Sequence, residues 1–246
     1  GPRRRMLAAP PLCALAAARR AAQGESPLYH MDDAAPLQGD DGQKSGEGLP
    51  GKDPAVKAMP VVAPGKSFAD ISGGNGHKNR TAIEAMAARG MISGRSDTLF
   101  APDANMTRAE FAADLARFAG IHTLYPTDGA SCFSDVDLTA ADAPYLAWSA
   151  DSGIVTGYDD GTFRPEKTLT REQMAVMLAR YAVRTGVTAQ GQLAFTDAAK
   201  ISGWAADGVA VCTGLGLVQG DARGRFLPQS RLTRAQIATI LVRMAG

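Results

Sequence analysis

From residue 107 onward the apolar positions fall into a helical rhythm that returns at a fixed interval. Phe111, Leu115 and Phe118 follow an i, i+4, i+7 spacing, as do Met174, Leu178 and Tyr181, and again Ile237, Leu241 and Met244. That spacing sets three side chains on one stripe of a helix, the mark of a helix packed on one face. Ala112, Ala175 and Ala238 sit beside the stripes and leave room for a close neighbour. Four residues before each stripe stands a threonine: Thr107, Thr170 and Thr233, at intervals of 63 residues. Glu110, Gln173 and Gln236 follow them at the third place. A threonine hydroxyl accepts from the backbone N–H of that third residue, whose side chain reaches back to the threonine N–H. This reciprocal capping box predicts a helix start at all three positions.

Upstream of each cap the same order of features recurs. In the middle copy, Tyr145, Leu146 and Trp148 give apolar content to a helix predicted over 142–152. Gly153 suits its left-handed C′ position, and Gly90 and Gly216 hold that place in the other copies. A tight turn follows at 158–163, where Asp160-Gly161 is a turn signal, and Pro165 stiffens its exit. Gly94, Gly157 and Gly220 lie thirteen residues before the threonines, and Phe100, Phe163 and Phe226 fall in register between them. A repeat-opening Phe-x-Asp supplies Asp70, Asp135 and Asp197. Such a helix–loop–helix unit cannot bury its stripe alone, so the copies must share a core. The expected fold is all-α. Six main helices form three repeats at 67–120, 133–186 and 195–246, closed with approximate threefold symmetry and joined by connections at 121–132 and 187–194.

Composition adds a boundary. Residues 1–66 hold nine of the fourteen prolines and Tyr29 as their one aromatic, so they cannot bury enough apolar area to offset ordering entropy. This segment is expected to be disordered, as a linker or the remnant of a signal. Arg3-Arg4-Arg5 before the apolar run 6–18 outlines an atypical secretory signal, though Pro10-Pro11 and Arg19-Arg20 interrupt that outline. The chain opens on glycine, which suits a fragment.

Charge and chemistry exclude several classes. The net charge is +1, without the basic excess of a nucleic-acid binder. No stretch approaches the 18 or more apolar residues of a spanning helix. Cys13, Cys132 and Cys212, and His30, His77 and His122, are scattered without disulfide or metal-ligand spacing, so no metal or cofactor is expected. Nothing pairs a nucleophile with a base, and no enzymatic activity is expected.

The order F-x-D, helix, G-I/L-x-x-G, D-G-x-F-x-P and T-R-A-E/Q resembles the S-layer homology domain. The middle copy carries it as Phe133/Asp135, Gly153-Ile154-Val155-Thr156-Gly157, Gly161-Thr162-Phe163-Arg164-Pro165 and Thr170-Arg171-Glu172-Gln173. The resemblance covers about 67–246. It implies a three-pronged body in an extracellular, cell-wall protein. Such a protein binds a secondary cell-wall polysaccharide, often one with pyruvate ketals, or peptidoglycan, in grooves between repeats. The alternatives are the anchoring end of a secreted hydrolase or adhesin, and a helical scaffold that binds protein.

The candidate ligand residues follow from what capping leaves unexplained. Arg108, Arg171 and Arg234 occupy the first helical position, where a cation opposes the macrodipole at a cost of a few tenths to about 1 kcal/mol. They either pair with Asp70, Asp135 and Asp197, or join the helix-start N–H groups in binding an anion such as a pyruvate carboxylate. The three aspartates serve a cap or turn, or touch ligand. Gly94, Gly157 and Gly220 serve backbone geometry or admit a sugar. Trp204 belongs to the core or stacks on a sugar face. By contrast Arg117, Arg180 and Arg243 lie in the last helical turns, where a cation stabilises the helix. The grooves are expected to be unequal: Thr98 replaces the turn glycine in the first copy, the third has a basic turn at 221–225, and the second has the most complete motif.

Overall fold

In the computed structural model, residues 61–74, 76–121, 133–187, 189 and 191–245 are described. The first sixty residues lie outside them, and with them the apolar run 6–18, Cys13 and His30; so do His122 and Cys132. The elements are α1 (Ala69–Ser72), α2 (Arg80–Ala88), α3 (Arg108–Phe118), α4 (Ala143–Asp151), α5 (Arg171–Arg184), α6 (Ala206–Gly214) and α7 (Arg234–Ala245). Two short 3-10 turns, Ala198–Lys200 and Gly203–Ala205, precede α6. Among the described residues there is no sheet, so the fold is all-α as expected.

The predicted starts and stops hold. Thr107, Thr170 and Thr233 accept from the N–H of Glu110, Gln173 and Gln236, and those side chains accept from the threonine N–H in return. Gly90, Gly153 and Gly216 have φ of 69°, 72° and 69°, the left-handed stop that glycine adopts freely. All nine stripe residues from Phe111 to Met244 are buried in one core drawn from the three repeats.

The helices pair across repeats rather than within them. Helix α3 of repeat 1 packs on α4 of repeat 2, α5 of repeat 2 on α6 of repeat 3, and α7 of repeat 3 on α2 of repeat 1. Small residues permit the close approach: a Cβ on Gly208 of α6 would lie 2.9 Å from the Cα of Val176 in α5. Polar contacts follow the same order. Ser149 donates to the Ala112 carbonyl, the Cys212 thiol to the Ala175 carbonyl, and the Asn79 amide to the Thr239 hydroxyl. Three isolated antiparallel bridges, Thr107 with Thr168, Thr170 with Arg231 and Asn105 with Thr233, link the segments before the second helices in that cycle too. Residues 61–66 attach to repeat 1, where Val62 and Ala63 donate to the Ala88 carbonyl at the end of α2.

Candidate functional site

Each motif aspartate has a backbone task. Asp70 accepts from the N–H groups of Phe100 and Ala101, Asp135 from Phe163 and Arg164, and Asp197 from Phe226 and Leu227, all at 2.7–3.0 Å. The second residue of each pair is non-glycine with a positive φ: 59° at Ala101, 57° at Arg164 and 59° at Leu227. An L-residue there costs about 1–2 kcal/mol, and two charge-assisted hydrogen bonds offset it. Although burial pushes the Asp197 carboxyl upward, the N–H groups of Phe226 and Leu227 hold it below its ordinary range.

The motif arginines grip the same three phenylalanines from the other side, and do so across repeats. Arg108 Nε donates to the Phe163 carbonyl, Arg171 Nε to that of Phe226 and Arg234 Nε to that of Phe100, at 2.7–2.9 Å. Each guanidinium also lies 4.6–4.9 Å from the ring centre of its phenylalanine. Among the described residues no ion pair runs from Arg171 or Arg234 to a motif aspartate; arginine and aspartate instead meet on one peptide unit, as Arg108 and Asp135 do at Phe163 and Arg164. The helix-start N–H groups are taken as well: Arg108 and Ala109 donate to Lys167 and Pro165, Arg171 and Glu172 to Ser230 and Pro228, Arg234 and Ala235 to Ala104 and Pro102. They are therefore not open to an anion, contrary to one part of the sequence-based expectation.

What surrounds each arginine differs. Arg234 is 4% exposed. Its Nη1 lies 2.9 Å from Glu110 Oε1, which Arg95 also reaches at 3.2 Å, and its Nη2 donates to the Ser93 carbonyl. Repeat 1 thus supplies its own carboxylate. Arg108 is 2% exposed and covered by the Tyr158 ring, 5.0 Å away, and burial lowers its guanidinium from the ordinary range. Arg171 is half-buried. Its Nη2 donates to the Gln219 carbonyl, and it lines an open groove of about 570 Å³. Burial, and then the charge of Arg243, lower the Arg171 guanidinium. A volume of that size is within the range of small-ligand sites, about 300–1,000 Å³.

This groove draws on all three repeats: Arg171 from the second, Gly220, Arg225, Arg231, Gln236 and Arg243 from the third, and Lys78 from the first. Of the predicted glycines only Gly220 lines it. A Cβ on Gly157 would sit 2.6 Å from the Phe133 ring, and one on Gly94 would strike the Phe68 ring and two carbonyls, so both serve packing. Gly94 also borders a separate hollow of about 540 Å³ within repeat 1, beside Lys66 and Asp97. Trp204 is half-buried in the 3-10 turn before α6 and does not line the basic groove. Sequence reasoning missed Lys78 and Arg231. The signal for Arg231 was present, since the positions in register with it hold Asn105 and Thr168. Among the described residues no cluster could hold a metal ion, and no helix is long and apolar enough to cross a membrane.

The S-layer homology domain model matches residues 67–112, 133–175 and 194–238, one match per repeat. The chain belongs to the S-layer homology domain family. It is 34% identical over 180 residues to an amylopullulanase of Thermoanaerobacterium thermosulfurigenes, covering 72% of this chain and 9% of that protein. It is 28% identical to a cellulosome-anchoring protein of Acetivibrio thermocellus, covering 62% of this chain and 34% of the relative. An S-layer protein of Bacillus thuringiensis subsp. finitimus is 26% identical over 191 residues, with 75% and 22% covered. The S-layer homology chain thus spans about a third or less of these relatives, whose shared portion is common to an enzyme, an anchoring protein and an S-layer protein.

Proposed function

We propose that this chain is a non-catalytic anchoring module that holds a protein to the bacterial cell wall by binding an acidic secondary polysaccharide in the Arg171 groove. Three kinds of observation support it. Family membership and the kinship to S-layer and cellulosome-anchoring proteins favour a cell-surface role. The helix pairs, bridges and arginine contacts of this chain all run from repeat 1 to 2, 2 to 3 and 3 to 1, which supports one three-pronged, pseudo-threefold body presenting its grooves between repeats. The decisive observation is the contrast among the three arginines. One is neutralised by Glu110 and one roofed by Tyr158, whereas Arg171 borders open space beside Arg243. A carboxylate entering there completes the charge pairing that Glu110 of repeat 1 makes with Arg234 of repeat 3.

The reading ranks the grooves. The Arg171 groove carries the affinity, and the Arg108 and Arg234 grooves contribute little. The test is co-sedimentation of the 246-residue chain with wall sacculi, intact or stripped of their secondary polymer. Binding to intact sacculi alone is expected. Equal sedimentation with both preparations would mean that the secondary polymer is not the ligand.

A further inference from the structure

The groove holds more positive charge than one carboxylate needs. Lys78, Arg171, Arg225, Arg231 and Arg243 line it, and among its described lining residues Asp221 is the sole carboxylate. Asp221 is already committed: it accepts from Arg225 Nε at 2.9 Å and Nη2 at 2.7 Å, and from the Arg223 and Arg225 N–H groups. That pair is neutral within itself. Arg171, Arg231, Arg243 and Lys78 remain.

Their roles in the fold divide them. Arg171, half-buried, grips the Phe226 and Gln219 carbonyls, and Arg243, though exposed, reaches the Leu217 carbonyl with Nη1 at 3.4 Å, so both are tied to the main chain of the groove wall. Arg231 and Lys78 are exposed at the rim, one in repeat 3 and the other in repeat 1. Arg231 donates to the Thr168 hydroxyl, a contact between neutral and charged partners that leaves its charge unpaired. The fold does not demand a cation there, because Asn105 and Thr168 occupy the equivalent places. Like charges gathered in one concavity repel one another and focus a positive potential on whatever enters.

We propose that the wall glycan recognised here carries two anionic groups per binding segment, carboxylate or phosphate, one received by Arg171 and Arg243 and the second by Arg231 and Lys78. This rests on the anchoring role above and names its ligand more closely. A glycan with a single isolated acid would leave the rim cations unpaired. One with acids on successive sugars would engage both ends of the groove and be held by both the second and the third repeat, with Lys78 drawing in the first.

The experiment measures sacculus affinity for the full chain and for a Lys78→Gln/Arg231→Gln variant, from about 0.1 to about 1 M salt, over which the Debye length falls from about 10 to about 3 Å. The variant should bind at least roughly tenfold more weakly at the lower salt and show a shallower salt dependence. Digalacturonate should displace the chain from sacculi at concentrations about tenfold below galacturonate, and the double variant should lose that preference. Unchanged affinity and salt dependence in the variant, or equal potency of the two competitors, overturns the second anion. Gln236→Glu separates the two readings, because it sets a carboxylate beside Arg171 without touching the rim. Lost binding in Gln236→Glu with no effect of the rim variant would leave the anchoring site standing and this inference refuted. Undiminished binding in Gln236→Glu would refute both.

Discussion

At the scale of single residues, the three motif arginines combine two duties that the sequence cannot separate. All three hold a phenylalanine carbonyl of the next repeat, and one of them also borders the groove. Their register showed that they matter, and the macrodipole argument showed that helix formation alone does not explain them. What stayed hidden was their partner, because a main-chain carbonyl 55 or 134 residues away leaves no mark in side-chain composition. Arg108→Ala should therefore destabilise the protein by about 1.5–3 kcal/mol, the loss expected when the Phe163 carbonyl is left without its charge-assisted hydrogen bond, as read by urea unfolding. Asp135→Ala should cost about 2–4 kcal/mol by leaving two N–H groups and a left-handed Arg164 unsupported. A second residue-scale effect comes from Asp114. Burial outweighs the Arg117 charge 3.0 Å away and raises its carboxyl to about 7. An acid whose folded value lies above its unfolded value near 3.8 binds more protons when folded. Stability contributed by Asp114 is thus present at low pH and lost as pH rises through about 7. Unfolding midpoints should fall between pH 5 and pH 8, and Asp114→Asn should flatten that dependence.

At the scale of elements, helix starts and stops were legible because capping is local. A threonine and its third-place partner decide the start, and a glycine at positive φ decides the stop. Thr170→Ala should cost about 1 kcal/mol and leave the groove intact, so sacculus binding should persist while the thermal midpoint drops. Which helix packs on which was not legible, because the stripe of a helix names a buried face and not the neighbour that covers it. The pairing of α3 with α4, α5 with α6 and α7 with α2 depends on fits such as Gly208 against Val176. Glu172 shows the same limit. Nothing in the sequence marks this carboxylate, yet it is 2% exposed and accepts from the Ser202 N–H and hydroxyl and the Gln229 amide, tying α5 to repeat 3.

At the scale of the whole molecule, repeat 3 contacts repeat 1 through Arg234, the Asn105–Thr233 bridge and the α7–α2 pair. A linear solenoid leaves its ends apart and tolerates loss of a terminal repeat. Here removal of residues 191–246 strips α5 of α6 and α2 of α7, so the remaining two repeats should show no cooperative unfolding transition. The unequal grooves belong to this scale as well. Their difference was partly legible in the basic turn 221–225. Its direction was not, because closure by Glu110 or by Tyr158 depends on where the neighbouring repeat delivers its arginine. The second repeat's complete motif does contribute Arg171, but the groove is built on the third.

The most direct test of the account is a pair of single-atom-group exchanges. Gln236→Glu copies into the open groove the carboxylate with which Glu110 neutralises Arg234. It keeps the capping box, since Glu110 caps in the same way. Gln173→Glu makes the same exchange beside the roofed Arg108. Sacculus co-sedimentation should be lost in Gln236→Glu and kept in Gln173→Glu, with both proteins folded by circular dichroism. Full binding by Gln236→Glu, or equal loss in both, would contradict the assignment of anchoring to the Arg171 groove.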